Sequence, residues 1–87
     1  MHPVELVIAA SAESVLRACA GAGLVVRSEG TIATKPGSRH WHLAKRGASG
    51  TLELSEWQGR VWLKVARGRD GGWATALAHE LETRFGS

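Results

Sequence analysis

The stretch Thr51-Leu52-Glu53-Leu54-Ser55-Glu56-Trp57-Gln58-Gly59-Arg60-Val61-Trp62-Leu63-Lys64-Val65-Ala66 decides the fold. It reads as two strands, Thr51–Trp57 and Arg60–Ala66, joined by a two-residue turn at Gln58-Gly59. A type I′ turn matches the twist of paired strands and needs positive φ at both central residues, which glycine adopts freely. That turn sets the register. Trp57 opposes Arg60, Ser55 opposes Trp62, Leu54 opposes Leu63, Glu53 opposes Lys64 and Leu52 opposes Val65. Because side chains alternate along a strand, Leu52, Leu54, Val61, Leu63 and Val65 share one face. Glu53, Ser55, Trp57, Arg60, Trp62 and Lys64 share the other. Opposite charges and an Arg–Trp pair stand directly across from each other, each contributing about 0.2–1 kcal/mol. A slip of one residue would exchange the two faces, so pattern and turn agree on one pairing. Glu56 is the exception: it falls on the apolar side, where the sheet is expected to meet solvent.

The preceding segment, Arg39–Lys45, reads as a third strand. The same parity puts Trp41 and Leu43 on the apolar face and brings His40 and His42 out on the other, beside Glu53 or Ser55. Further upstream, Leu24–Arg27 and Thr31–Thr34 read as short strands around a turn at Glu29-Gly30, and Lys35–Ser38 as a loop. For the N-terminal segment two readings compete. One is a strand over Val4–Ala10, followed by Ser11 as N-cap and a helix over Ala12–Ala20. The other is a single helix from Pro3 to Ala20. Strand then helix is preferred, because Val4, Leu6, Val7 and Ile8 leave no polar helical face. Ala12, Val15, Leu16 and Cys19 then line one side of the helix, which Gly21 and Gly23 stop. Downstream, Gly68–Gly72 is a turn, and a last helix follows Asp70 as N-cap and ends before Gly86. Its stripe of Trp73, Leu77, Leu81 and Phe85 faces a core, with Ala74 and Ala78 beside it.

The expected fold is therefore α+β: one domain over residues 1–87, an antiparallel sheet of about five or six strands, and two helices on one face, in the order β-α-β-β-β-β-β-α. The run Leu6-Val7-Ile8-Ala9-Ala10-Ser11-Ala12-Glu13-Ser14-Val15 resembles the first strand and helix of START-type helix-grip domains. Those domains also finish with a long helix on an antiparallel sheet. The resemblance implies an architecture and nothing about a ligand.

Composition narrows the function classes. The chain has 87 residues, 44% hydrophobic and 22% charged, as a folded domain does and a disordered chain does not. At this length a drug-sized cavity would consume much of the core, so open surfaces and clefts are the places to look for function. The single cysteine, Cys19, cannot close an internal disulfide, which fits a reducing, cytoplasmic setting. The longest unbroken apolar run, Leu6–Ala10, is far short of a membrane span, and Glu5 interrupts any signal-like start. The net charge of +3 is unevenly spread. Residues 35–69 carry Lys35, Arg39, Lys45, Arg46, Arg60, Lys64, Arg67 and Arg69 against Glu53 and Glu56. Both flanking segments carry more acidic than basic residues. Such asymmetry points to an anionic partner.

Catalytic motifs are missing. His79-Glu80-Leu81-Glu82-Thr83 begins like a zinc-protease helix, but Thr83 stands where the second histidine is required. Neither a Gly-x-Ser-x-Gly elbow nor a Walker loop occurs, and Cys19 on an apolar helix face reads as packing. No enzyme activity and no cofactor are expected. His40, His42 and Glu53 make a two-histidine, one-carboxylate set conceivable, but Lys64 competes for the carboxylate and no metal is assigned. Arg67-Gly68-Arg69-Asp70-Gly71-Gly72 could cradle an anion, although Asp70 as a cap would occupy the same positive helix end.

What remains is a surface: Arg39, His40, His42, Trp57, Arg60, Trp62, Lys64, Arg67 and Arg69, cations mixed with aromatic rings. The expected role is a non-enzymatic interaction module that self-associates or docks a protein partner through this sheet face. Nucleic acid or another polyanion is the alternative, since bases stack on aromatic rings and phosphates seek cations. No recognisable RNA-recognition signature supports that alternative.

Overall fold

The computed structural model describes residues 4–65 and 72–85. It contains β1 (Val4–Ile8), α1 (Ala12–Gly21), β2 (Leu24–Gly30), β3 (Arg39–Lys45), β4 (Leu52–Trp57), β5 (Arg60–Val65) and α2 (Trp73–Arg84). The β4–β5 hairpin has the register that its turn dictates, from Trp57 opposite Arg60 to Leu52 opposite Val65. Gln58 at φ 51° and Gly59 at φ 78° give the turn the two positive dihedrals of type I′.

All strands run antiparallel in one sheet of order β1-β5-β4-β3-β2. Strands β2 to β5 form a meander, and β1 closes the far edge beside β5. Helix α1 carries the chain across the sheet between its two edges. Its start is set by Ser11, whose hydroxyl accepts from the Ser14 amide at 3.2 Å. Its end is set by Gly23, left-handed at φ 88°.

Both helices lie on the same face. Ala12, Val15 and Cys19 of α1 and Ala74, Ala78 and Leu81 of α2 join Ile8, Leu24, Trp41, Leu43, Leu52, Leu54, Val61, Leu63 and Val65 in one core. Ala74, Ala78 and Leu81 are the residues that α2 buries. Trp73, Leu77 and Phe85 pack against that core, partly buried. Trp73 also donates its indole N–H to the Ser49 carbonyl at 2.6 Å, tying the start of α2 to the β3–β4 loop. Among the described residues no helix is long and apolar enough to cross a membrane.

The α+β class, the antiparallel sheet and the two helices on one face are as the sequence pattern predicts. Three details differ. Thr31–Thr34 is not a strand, which leaves five strands and the order β-α-β-β-β-β-α. There the Ile32 amide donates to the Ser38 hydroxyl at 2.8 Å, and Lys35 and Ser38 close successive turns, so the backbone is satisfied locally and not by a ladder. Glu29-Gly30 is not a turn either. It extends β2, whose register shifts between Val26 and Ser28 by a bulge, a common device at an edge strand. The N-cap of α2 is Gly72, left-handed at φ 92°, and not Asp70, which with the rest of the expected Gly-rich turn lies outside the described residues.

The two faces of the hairpin should differ sharply in energetic weight. Leu63→Ala, at a fully buried site, is expected to lower unfolding free energy by about 2–5 kcal/mol. Val7→Thr, at a residue 61% exposed, should change it by no more than about 0.5 kcal/mol. Urea titration followed by tryptophan fluorescence measures both; equal costs would mean the faces are assigned wrongly.

Candidate functional site

With the helices on one side, no secondary structure among the described residues covers the reverse of the sheet, and its side chains fall into rows set by the strand registers. One row reads Glu5, Lys64, Glu53, His42 and Ser28 across β1-β5-β4-β3-β2. The next reads Val7, Trp62, Ser55, His40 and Gly30. Beyond it, Trp57 and Arg60 face each other beside the hairpin turn. Residues from these rows line an open groove of about 780 Å³, to which the 31–38 loop adds Ile32 and Lys35. The Ile32–Ser38 hydrogen bond that replaces the expected strand is thus also what shapes one side of the groove.

The aromatic residues of this face differ in freedom. The Trp57 indole donates to the Pro36 carbonyl at 3.0 Å, and the Lys35 ammonium lies 5.4 Å from its ring centroid. Loop and cation together hold that ring. Trp62 is half-buried between Val7 and Ser55 and lines the groove.

At the β3–β4 end the polar groups converge. His40 Nδ1 lies 2.6 Å from the hydroxyl of Ser55, which is itself buried. His40 Nε2 lies 2.9 Å from His42 Nε2 and 3.1 Å from Glu53 Oε1, while His42 Nε2 is 3.5 Å from that same oxygen. The two imidazoles meet edge to face at 81°. Among the described residues, the Glu53 carboxylate approaches these two rings and is not paired with Lys64, its cross-strand neighbour. They are also the group whose donor atoms converge closely enough to hold a metal ion.

The nine residues singled out in the sequence divide as follows. His40, His42, Trp57, Arg60, Trp62 and Lys64 come together on the outer face and line the groove. Arg39 does not join them. It shares strand parity with Trp41, so it stands on the helix side, its guanidinium 4.6 Å from the Trp41 ring. There it reaches Glu13 of α1 at 2.6 Å and Glu56 of β4 at 3.4 Å. That pairing raises the Arg39 pKa and lowers that of Glu13, and it accounts for Glu56 on the apolar side. Arg67 and Arg69 lie outside the described residues.

Sequence reasoning missed Glu5, Val7, Ile32 and Lys35 as groove residues. The first two are placed by pairing β1 with β5, which no local signal encodes. The positive charge counted along the middle segment is also dispersed in space. Arg39 is neutralised on the other face, and Lys64 stands between Glu5 and Glu53 in its row.

Cys19 takes no part in this face. Burial beneath α1 pushes its thiol from 9.0 up to about 11, so the nucleophilic thiolate is scarce near neutral pH. At pH 8 the native thiol should react with iodoacetamide about 100-fold more slowly than the thiol of the urea-unfolded chain. Equal rates would mean that Cys19 is accessible.

No known family, no curated protein and no solved structure matches this chain.

Proposed function

We propose that this chain is a non-enzymatic interaction module that associates with a second copy of itself through the outer face of its sheet. The observation that carries this reading is Val7, 61% exposed on the edge strand β1, directly beside Trp62 on β5 in a groove that no helix of the described residues covers. Apolar side chains side by side on an open face are what a protein partner covers.

A second copy suits the pattern because the rows are self-complementary. Two sheets stacked about 10 Å apart, related by a two-fold axis parallel to the strands between β1 and β5, reverse the order of each row. Glu5 then meets the partner's Lys64, and Val7 meets the partner's Trp62. No like charges are opposed in that arrangement. A polyanion is served less well, since Lys64 is flanked by two carboxylates and Arg39 is turned to the helix side. The buried, unbridged Cys19 fits a cytoplasmic location.

Molecular mass measured by light scattering and sedimentation, in chelator and from micromolar to millimolar chain, tests the reading. Mass should rise from monomer to dimer, and Trp62→Arg should hold the chain monomeric. Lys64→Glu alone should weaken association at least 5-fold, and Glu5→Lys combined with Lys64→Glu should restore it. A strictly monomeric wild-type chain at millimolar concentration refutes self-association. A monomer that binds single-stranded RNA with steep salt dependence would favour the polyanion instead.

A further inference from the structure

We infer that His40, His42 and Glu53 form a binding site for a divalent first-row transition cation of the zinc class, with Ser55 as the positioning residue behind it. This goes beyond the dimer reading and does not depend on it: the triad lies on β3 and β4, whereas Val7 and Trp62 lie on β1 and β5.

Geometry is the first support. The donor atoms are separated by 2.9, 3.1 and 3.5 Å. Two ligands of a tetrahedral zinc with bonds of about 2.0–2.1 Å stand roughly 3.3 Å apart. The triangle matches one face of that tetrahedron, and a fourth position is left toward the groove. Imidazole nitrogens with one carboxylate suit zinc and its neighbours, whereas calcium and magnesium prefer all-oxygen sets.

Proton accounting is the second. Two Nε2 atoms 2.9 Å apart leave room for one proton between them, and Glu53 Oε1 competes for the same proton. One shared hydrogen bridges one pair of these atoms at a time, with the roles set by the tautomers. A dication serves all three. Lys64, the cation nearest in the register, does not take the carboxylate.

The third support lies behind the ligands. Metal-bound histidines characteristically donate their other ring N–H to a fixed partner, which sets tautomer and ring angle. With Nε2 on the ion, His40 Nδ1–H donates to Ser55 Oγ at 2.6 Å, and Ser55 is held in place by burial at 2% exposure. The neighbouring strands supply the rigidity: His42 opposes Glu53 and His40 opposes Ser55 in the β3–β4 ladder. Trp62, Lys64 and Glu5 border the same groove.

Untagged protein, stripped with chelator, should be titrated with Zn²⁺ by calorimetry and with Co²⁺ by visible absorption. The expected result is one equivalent per chain, with Co²⁺ bands of tetrahedral intensity and no thiolate charge-transfer band. His42→Ala and Glu53→Gln should each weaken Zn²⁺ binding about 100-fold, with circular dichroism showing that both still fold. Ser55→Ala should weaken it about 10-fold, with Ser55→Thr restoring most of the loss. No stoichiometric binding by folded wild-type protein overturns the site, as does unchanged affinity in both ligand variants. Undiminished binding in Ser55→Ala overturns the role given to Ser55.

Discussion

Side-chain alternation across the β4–β5 hairpin is the constraint on which the rest of this molecule depends. The two positive φ angles at Gln58 and Gly59 lock Leu54 against Leu63 and Glu53 against Lys64. Every residue of the neighbouring strands then inherits a side. The helices cover the leucine side because only there can Ala12, Val15, Ala74 and Ala78 remove apolar surface from water. No helix of the described residues covers the polar side, and what it displays is determined by parity. The groove and the histidine cluster are therefore products of the same alternation that builds the core.

Much of this was legible because it is local. A two-residue turn, an apolar alternation and a parity extended over one loop place His40, His42, Glu53 and Ser55 on a common face without knowledge of the tertiary fold. Non-local pairing was not legible. Nothing in Val4–Ile8 names β5 as its partner, so Glu5 and Val7 could not be located. Thr31-Ile32-Ala33-Thr34 has the β-branched composition of a strand, but one hydroxyl, that of Ser38, captures the Ile32 amide and bends the segment into a loop. Propensity there loses to one side-chain hydrogen bond and two backbone turns.

Charge counting along the chain misled in a specific way. It treats cations close in sequence as close in space, whereas in a strand consecutive residues point to opposite faces. Arg39 and His40 are neighbours in the chain and stand on opposite sides of the sheet. The first is absorbed by Glu13 and Glu56, and the second faces Glu53. The ring orientation that brings both Nε2 atoms onto one carboxylate oxygen lies beyond any sequence pattern. The His40 ring is held by Ser55, whose small side chain opposite Trp62 would otherwise pass as filler.

The strand order has a consequence for how the molecule comes to exist. Strands β2 to β5 pair with neighbours in sequence, so they can zip together through short loop closures. Strand β1 must wait for β5, because Val4 pairs with Val65, which follows it only after β2, β3 and β4. Closing so long a loop costs more entropy than any other step in the sheet, and the contacts that repay it arrive last. During synthesis the first strand made is the last one docked. Until then the edge of β5 lies open to any other extended chain, and that interval is when the nascent protein is most vulnerable to mispairing.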